Sequence, residues 1–207
     1  MTFTIENCIQ KAMTDLQKGR MIIIQDDASR ENEGDLVMAA QFTQAKDINF
    51  MIQHARGLVC LPLSAAIFKK LQIPMMTTNN QSHEYTPFGV SIDSASGITT
   101  GISPADRAHT CRLAASLETC AQHIVMPGHV FPLKAQTKGV LKRPGHTEAS
   151  IDMMRMTGLS QAAVICEIIN SDGSMARTAD LQLFAQQHQL ALITIQDIIE
   201  YRRNHEC

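Results

Sequence analysis

Short apolar runs alternate along this chain with segments whose apolar residues recur at helical spacing. Two of these runs, MIIIQ (21–25) and LVMAA (36–40), enclose a strongly charged stretch. A continuous apolar run of this length predicts a strand that is buried on both faces of a sheet. Further strands are predicted at 57–63, 88–93, 162–169 and 192–195. Helices are predicted at 4–18, 44–55, 64–71, 104–121, 147–158, 180–188 and 196–203.

The order of these elements predicts an α/β or α+β fold in which helices flank a mixed sheet. The chain has 207 residues, which is enough to bury a large core in one domain. Because no linker or repeat interrupts the pattern, we expect a single domain over residues 1–207. The segment 122–146 is rich in proline and glycine and predicts loops and short strands.

Composition argues against several classes of function. The net charge is −2, aromatic residues make up 4% of the chain, and there is no tryptophan. Neither an anionic membrane surface nor nucleic acid is a predicted partner of such a chain. The six cysteines form no C-x-x-C pair, and the N-terminus lacks a signal-peptide core. We therefore expect a reduced, cytoplasmic protein.

The charged stretch 26–35, DDASRENEGD, carries five carboxylates in ten residues, with Arg30 among them. Charge runs of this kind are usually solvated turns. Here, however, predicted strands anchor both ends, and a cation lies among the acids. Several carboxylates on one anchored loop suit a hard divalent cation such as Mg²⁺. The acidic residues are Asp26, Asp27, Glu31, Glu33 and Asp35.

The segment RPGHTE (143–148) predicts a turn followed by a helix with Thr147 as its N-cap. A helix N-terminus beside Arg143 favours a phosphate group, and His146 would lie next to it. Plain capping with a surface arginine explains the pattern equally well. TTGISPADR (99–107) offers the same two interpretations.

Two further residues are candidates for acid/base chemistry. Glu167 lies within the apolar run AAVICEII, and a buried carboxylate is suited to proton transfer near neutral pH. His129, in PGHVFPL, follows a turn and carries the side chain most often used at this pH. The alternatives are an outward-pointing or ion-paired glutamate and a structural histidine.

Eight segments, in this order, resemble the 3,4-dihydroxy-2-butanone 4-phosphate synthase family of riboflavin biosynthesis. The resemblance covers about residues 5–203, and the pairing of DxxRENEGD with RxGHTE is its most specific part. The segments are DDASRENEGD, NNQS, TTGISPADR, PGHVFPLKA, GVLKRPGHTEASIDMM, AAVICEIIN, DGSMAR and FAQQHQLALITIQDIIEYR.

The resemblance implies a lyase that converts D-ribulose 5-phosphate into L-3,4-dihydroxy-2-butanone 4-phosphate and formate. It also implies an α/β sandwich, a homodimer with active sites at the interface, and Mg²⁺ or Mn²⁺ as cofactor, with two ions when substrate is bound. Many members are fused to a GTP cyclohydrolase II domain, and we expect none within this chain.

The resemblance also assigns roles to individual residues. Glu31 and His146 would hold metal, with Glu33 close to a second ion. His129 and Glu167 match two essential acid/base positions, His129 acting across the dimer interface. Asp26 matches a catalytic aspartate, and Cys60 lies near the site. The substrate would be bound by Arg30, Glu31, Asp35, Arg143, Pro144, Gly145, His146 and Thr147.

Two other functions fit the same residues. A metal-dependent isomerase or aldolase acting on a pentose phosphate would use the same phosphate and metal groups but would release no formate. A non-catalytic sugar-phosphate-binding protein is less consistent with the chain, because every predicted acid/base position is filled.

Overall fold

Seven strands form one sheet in the computed structural model, which describes residues 5–205. Their order across the sheet is β4-β5-β3-β6-β2-β1-β7. The pairs β1–β7 and β3–β5 are parallel and the others antiparallel, so the sheet is mixed, as predicted. The strands are β1 (Ile22–Gln25), β2 (Gly34–Ala39), β3 (Cys60–Leu63), β4 (Ile92–Ser94), β5 (Ile124–Lys134), β6 (Ala163–Glu167) and β7 (Ala191–Thr194).

Helices cover both faces of this sheet. On one face α1, α5 and α7 pack with Ile22, Ile24 and Val37, whereas Ile23, Leu36 and Met38 point into the cluster beneath α2, α4 and α6. Alternate residues of β1 and β2 therefore enter two different cores, which explains their unbroken apolar runs. The helices are α1 (Ile5–Gln17), α2 (Ala45–Phe50), α3 (Ala65–Lys70), α4 (Pro104–Ala115), α5 (His146–Met156), α6 (Thr178–His188) and α7 (Ile195–His205).

The largest error of the sequence prediction is β5. Loops and short strands were predicted for residues 122–146, but residues 124–134 form an eleven-residue strand despite Pro127 and Pro132. Pairing with β3 and β4 on its two sides supplies the hydrogen bonds that local signals could not predict. A register shift at β4 accommodates the irregular backbone.

Smaller differences concern the ends of elements. The strand predicted at 88–93 is confined to Ile92–Ser94, and α4 ends at Ala115 rather than near 121. The helix predicted at 44–55 is α2 followed by a π-helical turn, Met51–Ala55. None of the described helices is long and apolar enough to cross a membrane. Of the six cysteines, the five within residues 5–205 are all free thiols.

Candidate active site

Residues 26–33 of the acidic stretch form the turn between β1 and β2, which pair as a hairpin, and Asp35 lies on β2. Asp26 is buried at its start, and its carboxylate organises the turn. Oδ1 accepts the backbone N–H of Glu33 at 2.8 Å, and Oδ2 accepts that of Glu31 at 3.0 Å. The guanidinium of Arg30 also donates to Oδ2, at 3.0 Å. Asp26 therefore fixes the shape in which the turn presents Arg30 and Glu31, while its catalytic role stays a prediction.

His146, the first residue of α5, lies between two carboxylates of this hairpin. Its Nδ1 is 3.7 Å from Oε2 of Glu31, and its Nε2 is 3.9 Å from Oδ1 of Asp35. Both His146 and Asp35 are buried. The Nε2 and Oδ1 atoms have no hydrogen-bond partner within the described part of the chain. Because buried polar atoms are nearly always satisfied, this unpaired donor and acceptor point to a ligand between them.

Mutual interactions shift the protonation of all three groups. Burial disfavours a charged imidazole, but Asp35, Glu31 and Asp26 outweigh it and raise the pKa of His146 to about 9. The His146 ring lowers the pKa of Glu31 to about 2, against the effect of partial burial. Burial raises the pKa of Asp35 to about 7, despite the attraction of His146. At neutral pH the cluster therefore holds a proton that a bound cation would displace.

The donor atoms fit a divalent cation. One ligand atom from each of Asp26, Glu31 and His146 lies within 4.8 Å of the others. Carboxylate oxygens are the ligands Mg²⁺ prefers, and the unpaired Asp35 oxygen adds a further donor. Glu33 lines the same cavity outside this three-residue cluster, and burial together with Glu31 raises its pKa. Of the acidic residues from which a cation site was predicted, Asp26 is thus a potential ligand beside Glu31 and His146.

The substitution Asp35→Asn is expected to stabilise the metal-free protein in alkaline solution. The folded-state pKa of Asp35, about 7, lies above its ordinary value of 3.8, so ionisation costs folding free energy progressively as pH rises through this range. Asn mimics the neutral carboxyl group. We expect the free energy of unfolding, measured with urea in EDTA, to increase by about 1–3 kcal/mol near pH 8. The gain should shrink as pH falls toward about 4, and a loss of stability near pH 8 would contradict the assignment.

Two guanidinium groups meet beside the N-terminus of α5. A Cβ on Gly145 would lie 2.4 Å from Nη1 of Arg143 and 3.3 Å from Nη2 of Arg30, so a larger residue there would displace the Arg143 guanidinium from this position. The fully buried Glu148 orients Arg143 through a 2.7 Å ion pair. Two cations and the free N–H groups of a helix start favour an anion at this position.

The predicted start of α5 is wrong by one residue. The helix begins at His146, Gly145 occupies the N-cap position, and no side chain caps it. Thr147 was predicted to be the N-cap, but it lies in the first turn, where it is buried and lines the cavity. The first turn therefore faces the cavity without a capping side chain in the way.

Glu167 is the last residue of β6 and lies opposite Asp35 in the antiparallel ladder. It is half-buried at the strand end, which lies between the buried and the outward-pointing interpretations of the sequence. Its Oε2 accepts the backbone N–H of Leu58 at 2.8 Å. A Cβ on Gly57 would lie 2.4 Å from the backbone carbonyl oxygen of Glu167 and 2.5 Å from the same Oε2, so the chain needs glycine there. The carboxylate is thereby held at the wall of the cavity.

One cavity brings most of the predicted residues together. Burial, followed by the charge of Glu167, raises the pKa of Cys60 well above its ordinary value, so this residue lines the cavity as a neutral thiol. Asp26, Pro144 and Gly145 lie next to lining residues. The lining residues are Arg30, Glu31, Glu33, Asp35, Cys60, Thr86, Phe88, Leu133, Arg143, His146, Thr147, Ile165 and Glu167.

His129 lies apart from this cavity, on β5. Its Nδ1 is 2.7 Å from Oδ2 of Asp93, and its backbone N–H donates to Oδ1 of the same residue at 3.0 Å. The side chain is 41% exposed. Gly101, in the TTGIS turn, packs against the pair, since a Cβ there would lie 2.5 Å from Nδ1. Within one chain, His129 is therefore an oriented and solvent-accessible imidazole.

Sequence reasoning did not identify the residues that orient or contact the predicted site residues. Asp93 orients His129, Glu148 orients Arg143, and Glu84 contacts both arginines. Glu148 belongs to the RPGHTE motif, where its spacing from Arg143 was an available signal. Asp93 and Glu84 come from segments distant in sequence from their partners, and nothing local identified them.

In this class of protein, a mixed sheet covered by helices brings a carboxylate–imidazole cluster that could hold a cation next to two arginines that could hold an anion. The family model described as 3,4-dihydroxy-2-butanone 4-phosphate synthase matches residues 10–201. The chain belongs to this family, and the predicted family and the predicted fold class are both confirmed.

Relatives and solved structures agree with this assignment. The chain is 56% identical over 198 residues to the 3,4-dihydroxy-2-butanone 4-phosphate synthase of Neisseria meningitidis serogroup A, covering 96% of this chain and 54% of that protein. It is 46% identical to the riboflavin biosynthesis protein RibBA of Salinispora arenicola, covering 96% and 47%. The crystal structure of a 3,4-dihydroxy-2-butanone 4-phosphate synthase in complex with two magnesium ions matches with a TM-score of 0.93 and 36% identity, covering 96% and 97%. The chain spans about half the length of these curated relatives.

Proposed function

We propose that this chain is a lyase that converts D-ribulose 5-phosphate into L-3,4-dihydroxy-2-butanone 4-phosphate and formate, a step in riboflavin biosynthesis. The observation that carries the proposal is the meeting, in one cavity, of a carboxylate–imidazole cluster and two guanidinium groups at a helix N-terminus. Binding the phosphate of a phosphorylated sugar needs positive charge, which the two guanidinium groups and the helix N-terminus supply. Enediol chemistry at the sugar's carbonyl needs a cation, which the carboxylate–imidazole cluster would hold. The cytoplasmic localisation remains a prediction from the sequence.

The chain's own residues bind the two ends of the substrate. Arg30 and Arg143, with the first turn of α5, would hold the phosphate, and Thr147 lies within that turn. Asp35 would accept hydrogen bonds from sugar hydroxyls, because its buried Oδ1 has no protein partner in the described structure. Glu31 and His146 would hold Mg²⁺, or Mn²⁺, and Glu33 would lie near a second ion.

Proton transfer at the cavity wall is assigned to Glu167. Glu167, whose carboxylate accepts the N–H of Leu58, would take a proton from the carbon next to the carbonyl and return one later. When bound, Mg²⁺ supplies positive charge that offsets the negative charge developing on substrate oxygens. Asp26 would keep Arg30 and Glu31 in place during these steps.

We further propose that the protein works as a homodimer in which His129 enters the partner's cavity. Support comes from its position, since it is oriented by Asp93 and solvent-accessible, yet lines no part of its own chain's cavity. Ile102, Val125 and Met126 are exposed apolar residues on the TTGIS turn and on β5, near His129 in sequence or structure. Burying them between two chains would be favourable.

The first experiment measures formate release from D-ribulose 5-phosphate with Mg²⁺ and with excess EDTA. We expect release with Mg²⁺ and none with EDTA, because the charge developing on the substrate would then lack its counter-charge. Restoring activity with added Mg²⁺ or Mn²⁺ controls for irreversible damage by the chelator. Metal-dependent loss of ribulose 5-phosphate without formate would instead identify an isomerase or aldolase.

A further inference from the structure

The loop tip formed by residues 81–85 reaches the candidate phosphate site through Glu84. The Glu84 carboxylate is 3.3 Å from Nε of Arg30, and its backbone carbonyl accepts a 2.9 Å hydrogen bond from Nη2 of Arg143. These are the two guanidinium groups that flank Gly145. Glu84 thus touches both cations that, under the proposed function, would receive the substrate's phosphate.

Glu84 also provides the tip's polar connection to the rest of the protein. Inside the loop, Asn80 receives the N–H and hydroxyl of Ser82, and Ser82 receives the N–H groups of Tyr85 and Thr86. Among the described residues, hydrogen bonds and ion pairs leading out of 81–85 to residues beyond this loop come from Glu84 alone. The contacts of Glu84 with the two arginines therefore hold the tip against the site.

The tip is held in an unfavourable backbone conformation. Tyr85 has a φ of +51°, in the left-handed region that bulky residues rarely adopt. The residue is 70% exposed, so its side chain contributes little packing to compensate. This strained residue adds to the free-energy cost of the conformation in which the tip lies against the arginines.

The charge of a ligand determines whether it can replace Glu84 at the arginines. Arg30 already faces Asp26 and Glu31 at hydrogen-bonding distance, and Glu84 adds a third carboxylate. A phosphate ester that approaches Arg30 and Arg143 meets the negative charge of Glu84 at the same guanidinium. A doubly charged phosphate bound to both cations would be stronger competition than one partly exposed carboxylate.

We propose that Glu84 is an internal anion that occupies the phosphate-binding arginines in the empty site and sets the selectivity of this site for phosphorylated ligands by direct competition. This inference rests on the proposed function for the location of the phosphate. It makes Glu84 a specificity-determining residue, since a ligand must displace the Glu84 carboxylate from Arg30 before it can bind both guanidinium groups.

The test measures the dissociation constant of inorganic phosphate by calorimetry, in EDTA and at constant ionic strength. Glu84→Gln removes the charge but keeps the size of the side chain and the backbone carbonyl. We expect this variant to bind phosphate about three- to tenfold more tightly than the wild type. Glu118→Gln removes one charge from an exposed residue in the turn after α4 and should leave the constant unchanged.

Unchanged or weaker binding by Glu84→Gln would overturn the proposal, and so would the absence of phosphate binding by every variant. A second readout is hydrogen–deuterium exchange of residues 81–86 in the wild type. Saturating phosphate should increase exchange there, whereas decreased exchange would mean that the loop closes on the ligand and would also overturn the proposal.

These readouts separate the inference from the proposed function. Tighter phosphate binding by Glu84→Gln in a protein that releases no formate would support the competition while refuting the lyase activity. Formate release with unchanged phosphate binding would do the reverse. Because the calorimetry is done without turnover, neither result depends on the other.

Discussion

The substitution Glu167→Gln is expected to lower the rate of formate release by about a thousandfold or more, since general acid/base catalysis contributes on the order of 10²–10⁴ and this residue would act more than once. Gln retains the oxygen that accepts the Leu58 N–H but cannot take up a proton. The measurement is kcat for formate release at saturating D-ribulose 5-phosphate and Mg²⁺.

Two controls show whether the loss is chemical. The midpoint of urea unfolding should stay close to that of the wild type, because Glu167 is half-buried and its hydrogen bond is preserved. Glu118→Gln should retain full activity. A Glu167→Gln variant with less than about a tenfold loss in kcat would remove Glu167 from the role of acid/base residue.

The second large effect concerns His129 and the dimer. The single variants Glu167→Gln and His129→Asn are each expected to be nearly inactive. When the two are unfolded together, mixed and refolded, half of the dimers formed by random pairing carry one chain of each kind. If His129 acts in the partner's site, each mixed dimer regains one intact site, and the mixture should reach about a quarter of wild-type activity.

The opposite arrangement makes a different prediction. If His129 acted on its own chain's cavity, every site in the mixture would carry one defect, and no activity would return. Wild-type protein taken through the same unfolding and refolding is the control for recovery. A monomer by sedimentation would also contradict the shared site, whatever the activity of the mixture.

Much of the fold followed from local patterns. The unbroken apolar runs that became β1, β2 and β6 required burial on both faces, and the structure places a core on each side of the sheet. Local patterns failed at β5, where proline and glycine signals indicated loops. The pairing partners of β5 lie in β3 and β4, and no local propensity reports on such long-range hydrogen bonds.

The candidate site was likewise predictable only in the parts that depend on local sequence. The acidic turn and RPGHTE were each recognisable as potential ligand-binding segments from residue type and spacing. Their meeting depended on α5 packing so that His146 lies between Glu31 and Asp35, residues more than a hundred positions earlier. The sequence left the burial of Glu167 open, because where a strand ends depends on its neighbours.

By itself, the sequence determined the kinds of chemistry available, namely clustered carboxylates, two arginines, histidines and the family to which the chain belongs. Tertiary structure alone decided how these groups act on one another. The pKa of His146 is raised by carboxylates that packing brings close to it, against the effect of burial, whereas the pKa of Asp35 is raised by burial itself. Glu84 reaches Arg30 and Arg143 only because a loop folds back over the site. Electrostatic interactions depend on distance and burial, and both are properties of the folded chain rather than of residue order.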